Sequence, residues 1–303
     1  MRFSLIMGTI GRFDEVRNFL ETMTRQTLQD FEIIVVDQNR SEDLVGLCES
    51  YRDRLSIKHI RIDRKGLSLA RNYGLRAAEG EIIAFPDDDC EYPKDLLANI
   101  DKCLGDAGGL DGLTAISRDK CNGEVSCGKF ALRGGFLRPS NVWRRHISIT
   151  IFLRKTVCDQ IGGFDEQFGV GAKWEGAEES DYLIRALYTN AKVLYNPDIY
   201  VYHPNKVRVY DAETITHAYI RGTGFGALAK KHLKKYRTLS QMPEAVSRLL
   251  RSAAAYFVFA LPDGNRSRYY GAHVRGWIAG FILYSAKGDP SPETARQKAH
   301  SDR

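Results

Sequence analysis

A short apolar run followed at once by three carboxylates constrains the fold of this chain more than any other feature. Residues 82–85 follow Gly80 and predict a short buried strand. Directly after it come Asp87, Asp88 and Asp89. Open α/β sheets bind their ligands beyond the carboxyl ends of parallel strands. Since three adjacent carboxylates repel one another unless they share a cation, the run predicts a ligand site rather than an acidic surface turn.

The spacing of these carboxylates indicates what the ligand contains. Asp87 and Asp89 are two residues apart, so in an extended chain their side chains point the same way. Hard oxygen ligands suit Mg²⁺ or Mn²⁺, and such ions usually bind one or two carboxylates together with substrate phosphates. We therefore expect a divalent metal and a phosphate-bearing ligand at this edge of the sheet.

The first 90 residues alternate between strand and helix patterns. Apolar runs predict strands over 3–7, 31–37, 57–62 and 82–85, and amphipathic segments lie between them. This order predicts an α/β fold with a doubly wound, mostly parallel sheet. The second strand also ends in a carboxylate, Asp37, which the topology brings to the same edge as the Asp87 run.

Several common classes of site are disfavoured. No GxGxxG follows the first strand and no GxxxxGK[ST] is present, which disfavours a dinucleotide Rossmann site and a P-loop. The six cysteines form no CxxC pair, so a zinc site is disfavoured and free thiols are expected. The net charge of +6 is too modest to indicate nucleic-acid binding. The chain shows neither a signal-peptide pattern nor an apolar run of about 18 residues, so we expect a cytoplasmic protein.

The middle of the chain is less regular. We predict a helix over 93–104 and strands over 113–117, 124–132, 147–153, 192–195 and 199–202. The glycine-rich segment 161–171 suits close approach of the backbone to a ligand. Four acidic residues and one histidine follow: Glu175, Glu178, Glu179, Asp181 and His203. Carboxylates at a helix N-terminus are also stabilised by the helix dipole, so from the residues alone Glu178 and Glu179 have a structural and a functional interpretation.

The order and spacing of four segments resembles the family 2 glycosyltransferases, which have the GT-A fold. The resemblance covers roughly residues 1–235, and no one segment is specific alone. The segments are 3–9, 33–39, 66–72 with 80–89, and Gly162-Gly163-Phe164-Asp165-Glu166 with Ala177-Glu178-Glu179-Ser180-Asp181 and Tyr202-His203-Pro204.

The resemblance implies roles for matching residues in nucleotide-sugar binding. Thr9 would line the nucleobase pocket and Asp37 would accept a hydrogen bond from the base, for which the imide N–H of uracil is suited. Arg71 would lie near the nucleotide phosphates. Asp87 would help hold the ribose, and Asp88 would also belong to the donor-binding site.

The same resemblance implies a metal site and a catalytic base. Asp89 and His203 would bind Mn²⁺ or Mg²⁺. Glu179 falls where the family places its base, usually an aspartate in a Gly-Glu-Asp sequence, and Glu178 is the competing candidate. The implied activity is inverting transfer of a sugar from a nucleotide diphosphate sugar, with a UDP-sugar favoured, to a hydroxyl of a saccharide or lipid-linked acceptor.

Three segments are predicted along the chain: a GT-A catalytic domain over 1–235, a helical extension over 236–287 and a disordered tail over 288–303. A basic run at 230–237 leads into the extension, whose apolar runs are too short to span a bilayer. This pattern predicts one of two arrangements. The extension either contacts the anionic inner face of the cell membrane peripherally or packs on the rest of the protein.

Two other functions compete with glycosyl transfer. A non-catalytic nucleotide-sugar or sugar-binding module could have the same fold, but Asp89, Glu179 and His203 together argue against an inactive site. A sugar nucleotidyltransferase typically needs a glycine-rich basic loop after the first strand, and the loop 8–12 is a poor match. Turnover would separate glycosyl transfer from the non-catalytic module.

Overall fold

The computed structural model describes residues 1–106, 108–205 and 209–285. Its strands are β1 Phe3–Thr9, β2 Phe31–Asp37, β3 Ser56–Arg61, β4 Ile82–Ala84, β5 Gly112–Arg118, β6 Gly135–Phe136, β7 Ile151–Arg154 and β8 Val193–Tyr202. Its helices are α1 Phe13–Met23, α2 Asp43–Ser50, α3 Leu67–Ala77, α4 Leu96–Asp106, α5 Lys155–Ile161, α6 Glu178–Tyr188, α7 Ala212–Lys235, α8 Met242–Val258 and α9 Gly264–Leu283.

The strands form one eight-stranded sheet in the order β3-β2-β1-β4-β7-β5-β8-β6. β1 to β4 are parallel, and their register sets Thr9 beside Asp37 at the carboxyl edge. β7 is antiparallel to both β4 and β5, whereas β8 is parallel to β5. The predicted α/β class with a mostly parallel sheet is therefore confirmed, and the mixed half begins at β7.

The core lies between this sheet and the helices that cross it. Every residue of β2 is buried, as expected for a parallel strand covered on both faces. The buried side of α1 is formed by Val16, Phe19, Leu20 and Met23 at helical spacing. The Phe19 ring meets the Tyr92 ring edge to face at 5.6 Å, which packs α1 against the chain that follows β4.

The less regular middle departs from the sequence-based prediction in several places. The predicted strand over 124–132 is not formed, since within the described ranges this segment makes one isolated bridge, from Val125 to Arg118. Backbone with positive φ at Gly123, Cys127 and Gly128 explains why the segment cannot extend. The strand predicted over 147–153 begins with a 3₁₀ turn before β7, and the two strands predicted over 192–202 are one continuous strand, β8.

The chain divides into two compact units, Met1–Val209 and Tyr210–Arg303. This division precedes α7, whereas the predicted catalytic domain ends at 235, after it. The reason is that α7 packs along α9 through glycines on both helices. The predicted disordered tail, 288–303, lies outside the described residues. No helix in the described ranges has the length and apolar character that crossing a bilayer requires.

Glycines hold α7 and α9 in close contact in the second unit. A Cβ added at Gly226 would lie 1.9 Å from the Trp277 carbonyl oxygen, and one at Gly280 would lie 2.0 Å from the Thr223 carbonyl oxygen. A backbone atom so close leaves no room for a methyl group, so the two helix axes are close only because these positions lack side chains.

We expect Gly226→Ala to lower the free energy of unfolding by about 3 kcal/mol, because the helices must separate to admit the methyl group. Gly46→Ala is the control: this glycine lies within α2 with nothing inside 4 Å of its added Cβ, so the change should stabilise by roughly 0.5–1 kcal/mol. Urea unfolding followed by far-ultraviolet circular dichroism measures both. Equal stability of the two variants would contradict the close packing of α7 and α9.

Candidate functional site

The candidate site lies at the carboxyl edge of the parallel half of the sheet. There Thr9 ends β1, Asp37 ends β2, and Asp87 to Asp89 follow β4. The Asp88–Asp89 pair forms a turn instead of the extended chain expected from the sequence. The mutual repulsion of the three carboxylates is offset by two arginines, because Arg12 pairs with both Asp88 and Asp89, and Arg71 pairs with Asp87.

Asp88 is directed into the protein. It is buried, it accepts a hydrogen bond from Thr9 Oγ1 at 2.7 Å, and its other oxygen accepts one from Arg12 Nη1 at 3.0 Å. Burial raises the pKa of Asp88 to about 6, although the Thr9 hydroxyl and the Arg12 guanidinium both act to lower it. Asp88 thus ties the loop after β1 to the loop after β4.

Asp89 lies between two cationic side chains. Arg12 Nη1 donates to Oδ2 at 2.8 Å, and His203 Nε2 lies 3.1 Å from Oδ1. The hydrogen bond from His203 is the main reason that the pKa of Asp89 lies well below its usual range, and Arg12 adds to it despite partial burial. The long strand β8 delivers His203 to this position, more than a hundred residues after the carboxylate.

His203 is held in place on both ring nitrogens. Nδ1 donates to the Pro204 carbonyl oxygen at 2.9 Å and lies 2.9 Å from Cys127 Sγ, while Nε2 faces Asp89. Burial acts against the charged imidazole, but the hydrogen bonds to Asp89 and Cys127 outweigh it and raise the pKa of His203 to about 10. The ring therefore presents Nε2 toward the carboxylate edge of the sheet.

Asp89 and His203 are the residues that could hold a divalent cation. Across 1–106, 108–205 and 209–285, no cluster of three or more His, Cys, Asp or Glu side chains is arranged to bind a metal ion. Two groups suffice for an ion that takes its other ligands from phosphates and water. Once Nε2 has lost its proton to make room for the metal, one carboxylate oxygen and one imidazole nitrogen, 3.1 Å apart, make a donor set that fits Mn²⁺ better than Mg²⁺.

Arg71 links the third carboxylate to α6. It is 1% exposed, and its guanidinium donates to Asp87 Oδ1 at 3.1 Å and to Glu178 Oε1 at 3.0 Å. The guanidinium also lies over the Phe164 ring, 5.4 Å from its centre. Burial raises the pKa of Glu178 to about 7, with Glu179 adding to the rise and Arg71 opposing it. Arg71 and Glu178 together form a buried ion pair beneath the site.

Glu179 differs from its neighbour in exposure and in partners. It is half-buried at the start of α6, and Ser180 Oγ lies 3.4 Å from its Oε1. The same hydroxyl lies 3.0 Å from Nε2 of the buried His146. His146 Nδ1 lies 2.9 Å from the Val142 carbonyl oxygen, which can only accept, so Nδ1 carries a proton. Glu179 therefore has an accessible carboxylate backed by a Ser180–His146 pair.

Asp37 is fully buried, and both its oxygens have partners in the protein. Oδ1 accepts from the backbone N–H and the side-chain amide of Asn39, at 2.8 and 2.7 Å. Oδ2 lies 3.1 Å from Nε2 of His59, which β3 places alongside β2. Asn39 and His59 thus fix the orientation of this carboxylate at the end of β2.

The glycine-rich segment 161–171 packs on α3 through close contacts at its backbone. Asn72 bonds the Phe164 backbone in both directions, accepting from its N–H at 2.7 Å and donating to its carbonyl at 3.0 Å. A Cβ added at Gly163 would lie 2.6 Å from the Asn72 side chain. The close approach that glycine allows here is to α3.

Four side chains at the site carried no signal that the sequence analysis used: Arg12, Cys127, His146 and His59. Arg12 could have been suspected, since a cation in the loop after β1 lies next to the carboxylates that follow β4 once the two strands are known to pair. The other three depend on contacts between distant segments.

The architecture and site define a class of protein, one with an open α/β sheet of the GT-A type and carboxylates at its carboxyl edge. Residues 4–106 match the family model for glycosyl transferase family 2. This match confirms the resemblance to the family 2 glycosyltransferases over this part of the chain.

Two curated relatives each match about a third of this chain. Poly(ribitol-phosphate) beta-N-acetylglucosaminyltransferase TarS of Staphylococcus aureus is 31% identical over 101 residues, which is 32% of this chain and 18% of TarS. Putative glycosyltransferase EpsH of Bacillus subtilis is 31% identical over 104 residues, 34% of this chain and 30% of EpsH. The chain thus matches less than a third of the length of either relative.

Solved structures extend the similarity over the whole fold. TarS 1–349 of S. aureus in complex with UDP superposes with a TM-score of 0.55 at 18% identity, covering 95% of this chain and 94% of that one. Mannosyltransferase PcManGT of Pyrobaculum calidifontis, in complex with GDP-Man and Mn²⁺, superposes with a TM-score of 0.60 at 20% identity, covering 92% and 86%. At these identities the superpositions establish the fold alone, which is GT-A.

Proposed function

We propose that this protein is an inverting glycosyltransferase that moves a sugar from a nucleotide diphosphate sugar to a hydroxyl of a saccharide or lipid-linked acceptor. The observation that carries the proposal is that acidic side chains from the ends of β2 and β4 and from the start of α6 meet at one edge of a GT-A sheet. The family match over residues 4–106 supports the same reaction class.

The donor would bind along the ends of β1, β2 and β4. Thr9, mainly through its backbone, and Asp37 would contact the nucleobase, with uracil favoured because its imide N–H can donate to a carboxylate. Since Asp37 is fully buried against Asn39 and His59, one of these two side chains would have to move to admit the base. Asp87 would hold the ribose, and Asp88 would keep the two loops together through Thr9 and Arg12. Arg71 would orient Asp87 from beneath the nucleotide and its phosphates. The UDP complex of TarS supports a uridine donor in a protein of this fold.

The diphosphate would meet the Asp89–His203 pair. A divalent cation held by these two residues, when bound, supplies positive charge that stabilises the leaving diphosphate. The manganese complex of PcManGT supports this use of the fold. Arg12 Nη1, 2.8 Å from Asp89 Oδ2, would hold the carboxylate with its other oxygen toward the diphosphate.

Glu179 would act as the catalytic base by taking the proton from the acceptor hydroxyl as it attacks the anomeric carbon. Of the two adjacent glutamates it has the more accessible carboxylate, whereas Glu178 is committed to the buried Arg71. The attack forms the bond from the acceptor oxygen to the sugar on one face while the bond to the diphosphate breaks on the other, which inverts the configuration.

Thermal stability with nucleotides tests the donor site. A ligand that binds only the folded state adds about 2.7 kcal/mol at a hundredfold excess over its dissociation constant. We expect UDP with Mn²⁺ to raise the melting temperature more than GDP, dTDP or CDP, and EDTA to reduce the shift. In Asp89→Asn the metal-dependent part should be lost.

Asp14→Asn serves as the matched control, since this exposed carboxylate pairs only locally with Arg17 in α1. It should keep the full nucleotide shift. An unchanged shift in Asp89→Asn would remove Asp89 from the metal site, and no shift of the wild-type protein with any nucleotide would argue against the proposed donor.

A further inference from the structure

One face of α8 is apolar and exposed along its length. Val246, Leu250, Ala254 and Phe257 follow one another at intervals of four, four and three residues, which places them on a single helical stripe. Leu250 is 62% exposed and Phe257 73%, and Leu261, in the turn to α9, is 98% exposed. We call these five residues the α8 stripe.

The α8 stripe is not part of the core of the second unit. Contacts with the rest of that unit come from the opposite side of the helix, where Ala245 is the buried residue. There the Arg248 guanidinium lies 4.1 Å from the centre of the Phe225 ring, and Ser267 Oγ donates to the Tyr256 carbonyl at 2.8 Å. The helix is therefore anchored by its inner side, and the stripe faces outward.

The unit that carries the stripe is strongly basic. Residues 209–285 contain 11 Lys and Arg against four Asp and Glu, a net charge of +7, whereas residues 1–205 contain 27 against 31, a net charge of −4. Two exposed arginines lie on the same two helices: Arg251, which follows Leu250 and pairs with Glu244 at 3.1 Å, and Arg268 in the first turns of α9. The positive charge of the chain is thus concentrated in the unit with the exposed apolar face.

We propose that the α8 stripe docks on the surface of an anionic lipid bilayer. An apolar helical face flanked by basic residues is the pattern of helices that lie in the bilayer interface. The net charge of +7 complements anionic headgroups and draws the unit to them, while the apolar side chains enter the boundary between headgroups and acyl chains. A second copy of this chain fits the stripe less well, because it would bring the same positive charge against it.

The inference stands apart from the proposed sugar transfer, since it uses no residue of the donor site. Flotation of the full chain with liposomes tests it. Binding is expected with phosphatidylcholine that contains phosphatidylglycerol and not with phosphatidylcholine alone. It should weaken at about 0.5 M salt, where electrostatic attraction is screened within a few ångströms.

Single changes in the stripe separate apolar docking from simple charge attraction. Phe257→Glu and Leu261→Glu should each lower the partition onto anionic liposomes at least tenfold. Leu132→Glu is the matched control, because Leu132 is 95% exposed in the other unit, and it should bind almost as the wild type does. Thermal unfolding of each variant checks that these exposed positions leave the fold intact.

Fluorescence of Phe257→Trp provides a second measurement, with the signal of the native tryptophans subtracted. Its emission should move to shorter wavelength on anionic vesicles. Binding without this shift, or wild-type binding by both stripe variants, would overturn the role of the stripe. A dimer in solution that Leu261→Glu converts to monomer would overturn the lipid assignment in favour of a protein partner.

Discussion

Arg71→Met is expected to lower the free energy of unfolding by about 3–5 kcal/mol. The guanidinium is 1% exposed and lies between Asp87 and Glu178, with ion-pair distances of 3.1 and 3.0 Å. Methionine fills much of the same volume but leaves Glu178 buried without its cation. Removing one partner of a buried pair typically costs this much, because the remaining charge has lost both water and its counter-ion.

The loss should depend on pH with a definite sign. Burial and Glu179 raise the pKa of Glu178 from 4.5 to about 7, and Arg71 opposes that rise. Between these two values the native state holds a proton that the unfolded state has released, so the contribution of Glu178 to stability falls as pH rises through this window. Without Arg71 the pKa rises further, and the penalty of Arg71→Met should be greater at pH 8 than at pH 5.

Urea unfolding at both pH values measures the effect, with Arg17→Met as the control. Arg17 also pairs with an aspartate, at 3.1 Å, and lies over the Phe13 ring, but it is half exposed. An exposed pair of this kind contributes about 0–1 kcal/mol. Similar losses for the two variants, or a penalty larger at pH 5, would contradict the buried ion pair.

Glu179→Gln is expected to reduce sugar transfer by about 10²–10⁴-fold, the usual contribution of a general base. Glutamine keeps the shape of the side chain and can still accept a hydrogen bond from Ser180, 3.4 Å away, but it cannot take a proton. Donor binding should be retained, so the thermal shift with UDP and Mn²⁺ should match that of the wild type. Nucleoside diphosphate released from the donor, with and without saccharide acceptors, measures the rate.

Two variants define the controls for this experiment. Glu213→Gln replaces an exposed glutamate in the first turn of α7. Glu213 thus has the same position in its helix as Glu179 has in α6 but lies outside the candidate site, so this change should leave transfer unchanged. Glu178→Gln should lower stability as well as rate, because it removes the buried partner of Arg71. Turnover near the wild-type level in Glu179→Gln, together with loss of turnover in a folded Glu178→Gln, would assign the base to Glu178.

Most of the fold of the first unit could be predicted from local patterns. The runs that became β1, β2 and β4 are apolar because both faces of a parallel sheet are covered, and that burial is visible in the composition of each run. The edge where Asp37 and the Asp87 run meet follows from strand order and handedness rules. The strand predicted over 124–132 was wrong because its β-type composition could not outweigh the positive φ at Gly123, Cys127 and Gly128.

The sequence by itself therefore determined the α/β class, the resemblance to a family and the edge of the sheet where the carboxylates gather, since each of these is encoded in short-range periodicity and in motifs. Only the tertiary structure decided which partner each side chain has. Asp89 contacts His203 because β8 ends beside the loop that follows β4. Glu178 pairs with Arg71 because α6 packs near α3. Such contacts join residues a hundred positions apart, and packing of the whole domain, which no local pattern records, brings them together.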